Sequence, residues 1–384
     1  MSETTGGNAG KSLGDRIMDR VPLLWLFWFF LFSILWGCEN TSFDKNQIEA
    51  YKRNHPSAFQ VNAFINDISP DNQTLLFDYG SPYWLRIGLY NMSSGKIHVF
   101  DTGEENKMNM VPAFSRDGRK IVFVGQRERN YAGNIYIMNT DGSDLRQSTN
   151  NHGMVDEGTS LVHAPAFSPD GKRIIFLRSQ RTRERAYPLR GRMSCDWDIY
   201  EVDIDTGVER RLTEFYFYDA SWPSYMANGK RFIFSGEGPY NPSGNGPKNY
   251  KEYEDQYRKN FIFIMDGRNN ELKPALINGN HSINPHVSND DTILFISRTN
   301  EMDGLENAPE ILELFLYRKG KIKRLTTLHA YIKWTRISRD GRFIIFTKRN
   351  SERDRDFSYW LMKSDGTGLR EIKIPVDGLK QGSN

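Results

Sequence analysis

An all-β fold built from repeated four-stranded antiparallel sheets is predicted by three features of the sequence. Aromatic residues make up 13% of the 384 residues, and the chain holds 32 glycines and 16 prolines. Helix-forming runs of Ala, Glu, Leu and Lys are scarce, and a turn motif followed by a dense apolar run recurs along the chain. Because aromatic and β-branched residues favour strands while Gly and Pro mark turns, these features indicate sheets rather than helices.

The charge balance argues against a nucleic-acid-binding protein. The sequence has 51 basic and 48 acidic side chains, which gives a formal net charge of only +3. Such a balance provides no extended positive field to hold a polyanion. With 38% apolar residues, the chain can bury a substantial core.

A hydrophobic segment near the amino terminus predicts export. Residues 21–37 read VPLLWLFWFFLFSILWG, carry no charge and follow Arg16 and Arg20. This length lies between that of a secretory signal and that of a minimal spanning helix, so residues 1–37 are predicted to form either a signal peptide or an uncleaved signal anchor. In both cases the remainder is exported and tethered, at the periplasmic face of the inner or outer membrane or at the cell surface.

The end of this segment, LWGC, resembles a bacterial lipobox. The resemblance implies cleavage before Cys38 and lipidation of its thiol, which would make the protein a lipoprotein. Residues 38–60 would then be a tether between the membrane and the folded domain.

Six copies of the turn motif follow the tether. Each starts with an apolar residue, continues through Ser-x-Asp-Gly or a close variant, and ends in an apolar run. The copies are ISPDNQTLLF from Ile68, FSRDGRKIVF from Phe114, FSPDGKRIIF from Phe167, YMANGKRFIF from Tyr225, VSNDDTILF from Val287 and ISRDGRFIIF from Ile337. They recur about every 45 to 60 residues, the spacing of a propeller blade with insertions.

Each copy predicts the same order of strands. The Ser and Asp side chains bond the local backbone and Gly accepts a positive φ, which closes a hairpin between the first and second strands. The second strand, as in IVF or IIF, is apolar at consecutive positions, and this pattern predicts burial on both faces. A third strand such as NIYIMNT and a fourth ending in RQST, RRLT or KRLT complete the unit. Four strands in six units predict a six-bladed β-propeller.

The repeats resemble the WD40-like repeats of TolB-type propellers, on the stretches FSPDGKRIIF…DIYEVDIDTGVERRLT and FSRDGRKIVFVGQRERNYAGNIYIMNTDGSDLRQST. The resemblance spans residues 61–374, leaving a tail at 375–384. TolB carries a separate α/β domain before its propeller, for which the stretch between Cys38 and the first blade leaves no room, so its role is not expected to transfer directly. The predicted blades are 61–103, 109–149, 161–213, 220–277, 282–326 and 332–374.

Three long connections between second and third strands, at 178–196, 236–260 and 298–310, are predicted to open on one face. Loop growth on a rigid scaffold is how binding surfaces are usually built. The sequence therefore predicts a non-enzymatic protein- or peptide-binding module of the cell envelope, with its partner at the insertion-bearing face and no cofactor.

Two groups of side chains in these insertions are candidates for the binding surface. Guanidinium groups offer planar forks for acidic ligands, and tyrosines offer aromatic contacts. The alternatives are a solvated loop for the first group and tyrosines that only pin a loop to the rim for the second. The candidates are Arg181, Arg183, Arg185, Arg190, Arg192, Trp197, Tyr240, Tyr250, Tyr253 and Tyr257.

A competing hypothesis is a metal-dependent enzyme. Five histidines fall in segments that enter the first strands, where the central channel opens, and a histidine cluster there would bind a divalent metal. Some lyases on TolB-like propellers use such clusters, so the resemblance implies an oligogalacturonate-type polysaccharide lyase as the alternative. The candidate ligands are His152, His163, His281, His286 and His329. Four prolines that precede the turn motif are interpreted as entries to the first strand: Pro112, Pro165, Pro223 and Pro285.

Overall fold

A computed structural model describes the chain from residue 62 to residue 379. It omits the segments 82–83, 104–107, 128–131, 153–160, 180–182, 185–192, 195–196, 215–216, 218, 238–259, 267–272, 277–281, 300–310, 350–356 and 377–378. The predicted signal segment 1–37, Cys38 and the tether lie outside the described residues. Within the described part every regular element is a strand, so the all-β prediction is confirmed there. No helix long and apolar enough to cross a membrane occurs in that part.

The strands follow one another in antiparallel units of four, called here the first to sixth units in chain order. The first unit comprises β1 (Asn62–Ile68), β2 (Thr74–Ser81), β3 (Trp84–Asn91) and β4 (Ile97–Val99). The second comprises β5 (Met108–Phe114), β6 (Lys120–Gln126), β7 (Asn134–Asn139) and β8 (Arg146–Gln147). A short parallel pairing of Leu85 with Met108 joins these two units into one sheet of eight strands.

The third unit contains an inserted hairpin. Its sheet comprises β9 (Val162–Phe167), β10 (Arg173–Ser179), β13 (Trp197–Asp203) and β14 (Glu209–Arg211), and the hairpin pairs β11 (Arg183–Glu184) with β12 (Met193–Ser194). The fourth unit comprises β15 (Asp219–Tyr225), β16 (Arg231–Glu237), β17 (Asn260–Asp266) and β18 (Lys273–Leu276).

The last two units have the same order of strands. The fifth comprises β19 (Ser282–Val287), β20 (Ile293–Arg298), β21 (Leu312–Arg318) and β22 (Lys321–Arg324). The sixth comprises β23 (Tyr331–Ile337), β24 (Phe343–Arg349), β25 (Ser358–Lys363) and β26 (Arg370–Ile372).

The Ser-x-Asp-Gly motif forms the turn between the first and second strands, as predicted. In the third unit Ser168 Oγ donates to Asp170 Oδ1 at 2.5 Å and accepts the Arg173 backbone N–H at 2.9 Å. Asp170 Oδ1 also accepts the backbone N–H of Lys172 at 3.1 Å, and Gly171 has a φ of +70°. The two short side chains thus replace the backbone partners that a tight turn removes.

Apolar clusters lie between each unit and the next. Between the third and fourth units, for example, Ile175 and Ile199 pack with Phe217, Phe234 and Phe263. Similar clusters join the first unit to the second, the second to the third, the fourth to the fifth, and the fifth to the sixth. Each second strand is therefore buried on both faces, as its unbroken apolar run predicts.

The sixth unit packs directly on the first. Ile345 and Leu361 share a cluster with Ile65 and Leu75. The first strands of successive units also contact one another, and β1 contacts β23, so the arrangement closes into a ring.

The described chain beyond β26 also contributes to this closure. Val376 is 5% exposed and joins Leu379 against Phe77, Tyr79 and Trp84 of the first unit. Part of the predicted tail 375–384 therefore packs on the ring. The four strands of the sixth unit are consecutive in the chain, so packing rather than exchange of a strand joins the two ends in the described part.

Replacing Gly171 with Ala is expected to lower the free energy of unfolding by about 1 kcal/mol. A Cβ at this position meets nothing within 4 Å, so the cost arises from the positive φ alone. Urea unfolding measures the change. Lys172→Ala, at the exposed neighbouring position, is the control, and equal stabilities for the two variants would contradict the assignment of strain to Gly171.

Candidate functional site at the ring axis

The first strand of every unit has an irregularity where it faces the ring axis. Pairing with the second strand shifts register in β1, β5, β9, β15, β19 and β23. Such bulges bend a strand and redirect its side chains. Here they turn side chains from several units toward a common centre.

Four of these bulges contain a residue with a positive φ followed by proline. The residues are Val111, Ala164, Trp222 and Asn284, with φ of 54°, 48°, 53° and 54°. The prolines after them are Pro112, Pro165, Pro223 and Pro285. These prolines lie inside the first strands rather than at their entries, because the bulge breaks the ladder where proline has no N–H to donate.

Trp222 is the centre of a cluster on the axis. The Arg336 guanidinium carbon lies 3.9 Å from the centroid of the Trp222 ring. The ring centroids of Trp334 and His163 lie 5.0 Å and 5.9 Å from that of Trp222, both edge-on. These residues come from the third, fourth and sixth units, so side chains from opposite sides of the ring meet here.

Arg336 is held by backbone carbonyls and by this aromatic face. Its Nε donates to the carbonyl of Asn66 at 2.7 Å, and a terminal nitrogen donates to the carbonyl of Thr335 at 2.8 Å. Burial lowers the pKa of Arg336 to about 10, opposed by the charge of Asp67. The guanidinium therefore stays protonated at neutral pH, and its contacts offset part of its desolvation.

Two of the predicted histidine ligands, His163 and His286, are buried beside this cation. Burial, assisted by the charge of Arg336, lowers the pKa of His163 to about 3. Burial and the charges of Arg336 and Arg339 also lower the pKa of His286 well below its usual value. Its Nδ1 accepts the backbone N–H of Ile337 at 3.4 Å. Both imidazoles are neutral at pH 7, and the adjacent guanidinium opposes a metal cation.

The other predicted ligands do not join them in the described part. His152 and His329 are exposed, and His281 lies outside the described residues. Among the described residues, no group of three or more His, Cys, Asp and Glu side chains is placed to hold a metal ion.

The predicted binding residues of the insertions are described only in part. The backbone of Arg183 lies in the β11 hairpin. Trp197 is 3% exposed and packs with Phe217 in the cluster between the third and fourth units, so its indole is a core group instead of lining the predicted surface. The remaining candidates lie outside the described residues: Arg181, Arg185, Arg190, Arg192, Tyr240, Tyr250, Tyr253 and Tyr257.

Sequence reasoning missed Asp78, a buried carboxyl near the axis. Its Oδ2 accepts the backbone N–H of Val111 at 2.9 Å, the donor that the bulge in β5 removes from the ladder. Burial raises the pKa of Asp78 to about 7, although this hydrogen bond lowers it. An aspartate inside the otherwise apolar run LLFDY was the available signal.

Asp67 has the same role at the same boundary between the first and second units, closer to the Ser-x-Asp-Gly turns. Its Oδ2 accepts the backbone N–H of Phe114 at 3.0 Å and lies 3.5 Å from a terminal nitrogen of Arg339. Arg339 also donates to the carbonyl of Phe114 at 3.1 Å. Polar side chains near the axis therefore hydrogen-bond the backbone of the bulged first strand in another unit, which joins the units to each other.

Comparison with known proteins identifies the class of fold. No protein-family model matches the chain. The solved structure of TolB from Acinetobacter baumannii superposes with a TM-score of 0.52 at 17% identity, covering 80% of this chain and 62% of TolB. An oligogalacturonate lyase in complex with manganese superposes with a TM-score of 0.53 at 12% identity, covering 81% of this chain and 78% of the lyase. The fold is a β-propeller, and within that class it is similar to TolB.

A curated sequence relative covers a smaller region. An uncharacterized peptidase of Bacillus subtilis (strain 168), YuxL, is 24% identical over 209 residues, which are 48% of this chain and 28% of the relative. The chain thus spans less than two thirds of both YuxL and TolB. At these identities the similarity establishes the fold.

Asp78 is expected to make the protein less stable as the pH rises from about 4 to about 7. Its folded pKa of about 7 lies above the ordinary value of 3.8, so over this window the folded state keeps a proton that the unfolded state releases. Asp78→Asn keeps an acceptor for Val111 and removes the titration. The stability gained by the variant should grow with pH across the window and level off above it, as measured by urea unfolding.

The exposed aspartate Asp101 provides the matched control for this measurement. Asp101→Asn makes the same substitution at the surface and is compared with the native protein by the same urea unfolding. A constant difference between Asp78→Asn and the native protein at every pH would contradict the raised pKa.

Replacing Arg336 with Met is expected to raise the pKa of His163, because the variant removes a positive charge that disfavours the imidazolium. Burial, the larger cause, remains, so the pKa should stay below 6.5. A titration of the histidine ring protons by NMR measures it. Arg370→Met, at an exposed position of β26, should leave His163 unchanged, and an unchanged pKa in both variants would show that Arg336 does not act on His163.

Proposed function

We propose that the protein is an exported, membrane-tethered, six-bladed TolB-like propeller that acts as a non-enzymatic protein- or peptide-binding module of the cell envelope. Each four-strand unit would be one blade. The continuous packing of the first to sixth units, and of the sixth on the first, supports this blade count.

The observation that carries the proposal is the common origin of the three longest connections between second and third strands. They leave the sheets beyond the paired residues Ser179 and Trp197, Glu237 and Asn260, and Arg298 and Leu312. In each unit this is the end opposite the Ser-x-Asp-Gly turn. Three large connections at one end of a rigid ring favour a binding surface there.

The organisation of the axis supports binding rather than catalysis. Arg336 is bonded to two carbonyls and stacked on Trp222, and the neighbouring His163 has a pKa far below neutrality. A general base would need a pKa near the working pH. His163 does not meet this condition, and Asp78, whose pKa is about 7, is engaged by the backbone N–H of Val111. In this arrangement the polar groups at the centre hold blades together.

The tether rests on the sequence of residues 21–38. Seventeen uncharged residues followed by Cys38 fit a lipoprotein signal or an uncleaved anchor. Either form would keep the propeller at a membrane and leave its binding face free to meet a partner.

The alternative function is enzymatic, either as a polysaccharide lyase or as a peptidase. The superposed lyase and the curated peptidase relative give two activities to assay, namely cleavage of oligogalacturonate with manganese and cleavage of peptides. Turnover of either substrate by the purified protein, abolished by His163→Ala but not by the exposed change His152→Ala, would replace the binding proposal with an enzymatic one.

The binding face is tested by shortening two of the long connections. In one variant, residues 180–196 and 238–259 are each replaced by a short Gly-Ser linker, so that the flanking strand pairs remain. Chemical crosslinking on membranes, followed by mass spectrometry, should show partners of the native protein that the variant loses. The same spectra should report acylation of Cys38.

A linker inserted between Gly142 and Ser143, in a turn at the opposite end of the second unit, is the control and should retain the partners. An unchanged list of partners in the shortened variant would remove the proposed surface. An unmodified Cys38 in a cleaved chain would remove the lipid tether.

A further inference from the structure

Glu201 breaks the repeat pattern of the third strand. In the other five units the equivalent position, which pairs with the residue just before the final Phe of the turn motif, is aliphatic. These residues are Leu89, Ile137, Ile264, Leu316 and Leu361. The fold is therefore compatible with an aliphatic side chain at this position in five units. The carboxylate of Glu201 is not required by the fold and indicates another role.

The carboxylate of Glu201 is buried and fully engaged. Its side chain is 5% exposed, and it accepts from a terminal nitrogen of Arg173 at 3.0 Å and from Nε of Arg210 at 2.8 Å. The Tyr225 hydroxyl donates a third hydrogen bond. Burial raises the pKa of Tyr225, and the charge of Glu201 raises it further, so the hydroxyl remains a donor. Three donors offset the cost of burying this charge.

Tyr225 is a second departure from the repeats at the same place. It is the last residue of the first strand, and in the other five units that position carries no hydroxyl. The equivalents are Ile68, Phe114, Phe167, Val287 and Ile337. Glu201 and Tyr225 thus both replace apolar residues of the repeat, and they hydrogen-bond to each other between the third and fourth units. Departures from the repeat pattern occur mainly where function requires them, so this pair indicates a functional site.

A cavity of about 420 Å³ opens beside this cluster, between the third and fourth units at the turn end of the sheets. Its lining includes Arg173, Glu201, Arg210, Tyr225 and Lys230. This volume lies in the range of small-ligand sites, which are about 300–1,000 Å³. The cavity is at the end of the ring opposite the long connections and is separate from the proposed partner surface.

The cationic groups of the cavity retain binding capacity. Arg210 is 57% exposed, and among the described residues Glu201 is its only hydrogen-bond partner, through Nε. Its two terminal nitrogens are therefore available, in an orientation that Glu201 fixes. Arg173 is committed, because it bonds Glu201 and the carbonyl of Gly229.

We propose that this cavity binds a ligand bearing a single carboxylate group, which Arg210 holds through its two terminal nitrogens. A guanidinium fork matches a carboxylate in a bidentate pair. Three cations and the carboxylates of Asp170 and Glu201 line the cavity, leaving one net positive charge, which a monoanion neutralises and a phosphate dianion exceeds. Glu201 is a positioning residue, since its carboxylate is already engaged by Arg173, Arg210 and Tyr225 and acts on the ligand by orienting Arg210.

The test titrates the full-length protein, labelled with ¹⁵N-arginine, and follows the side-chain Nε signals by NMR. N-acetylglycine supplies one carboxylate, and N-acetylglycinamide is its uncharged match. N-acetyltriglycine distinguishes a peptide carboxylate from that of a small acid, and inorganic phosphate tests the choice of anion. N-acetylglycine or N-acetyltriglycine should shift the Arg210 signal and the amide should not, while phosphate should bind more weakly.

Arg210→Ala should weaken binding of the carboxylate about tenfold or more, since it removes a charge-assisted pair. Its control is Arg146→Ala, because Arg146 occupies the equivalent outer-strand position of the second unit, opposite Ile137. Glu201→Leu restores the aliphatic residue of the other units, so it should fold and keep the Arg210 side chain. It should still lose affinity, because losing the fixed orientation of Arg210 outweighs the extra net positive charge of the cavity. Glu201→Gln, which retains an acceptor, should lose less.

Several results would overturn this site. The Arg210 signal would respond to neither carboxylate, the amide would bind as well as the acid, or Arg210→Ala would bind with unchanged affinity. Unchanged affinity in Glu201→Leu would show that Glu201 has only a structural role and does not position Arg210. Tighter binding of phosphate would overturn the assignment to a carboxylate. Loss of partners on shortening the long connections does not bear on this cavity, so the two proposals fail separately.

Discussion

Burial of each second strand on both faces is the constraint on which the rest of the structure depends. Residues such as Ile121, Ile174 and Ile233 have no exposed surface, because one neighbouring unit covers each face of the sheet. A single unit would leave both of its apolar faces in water, and an open row would leave one exposed face at each end. Contact between the sixth and first units removes both exposed faces, so ring closure follows from the hydrophobic effect.

Near the axis, the constraint is that buried backbone N–H groups need hydrogen-bond acceptors. A bulge in every first strand turns side chains inward but takes N–H groups out of the ladder, and each buried donor needs a partner. Asp67 and Asp78 accept two of these donors from the next unit along, and Arg336 donates to a carbonyl of the first unit. The polar groups at the centre therefore hold neighbouring units together.

The repeated motif allowed much of the fold to be predicted. The turn pattern located every hairpin between first and second strands, and the unbroken apolar runs located the buried strands. The candidate sites were less predictable. Histidines near the first strands were candidate metal ligands only under the alternative hypothesis of an enzyme. His163 and His286 are buried against Arg336 while His152 and His329 are exposed, since the bulge decides which side chains turn inward. Trp197 was expected at a surface and lies in the core because it starts a strand covered by the fourth unit.

The cavity beside Glu201 is a feature that the sequence repeat alone did not predict. The sequence contains the glutamate within DIYEVDI, but only the strand register shows that the five equivalent positions are aliphatic. The amino-acid sequence by itself determined the strand order, the turns and the burial of the second strands, because these depend on neighbours close in the chain. The tertiary structure alone decided the closure of the ring and the grouping of Trp222 with Arg336 and of Glu201 with Tyr225, because those contacts join residues from different units.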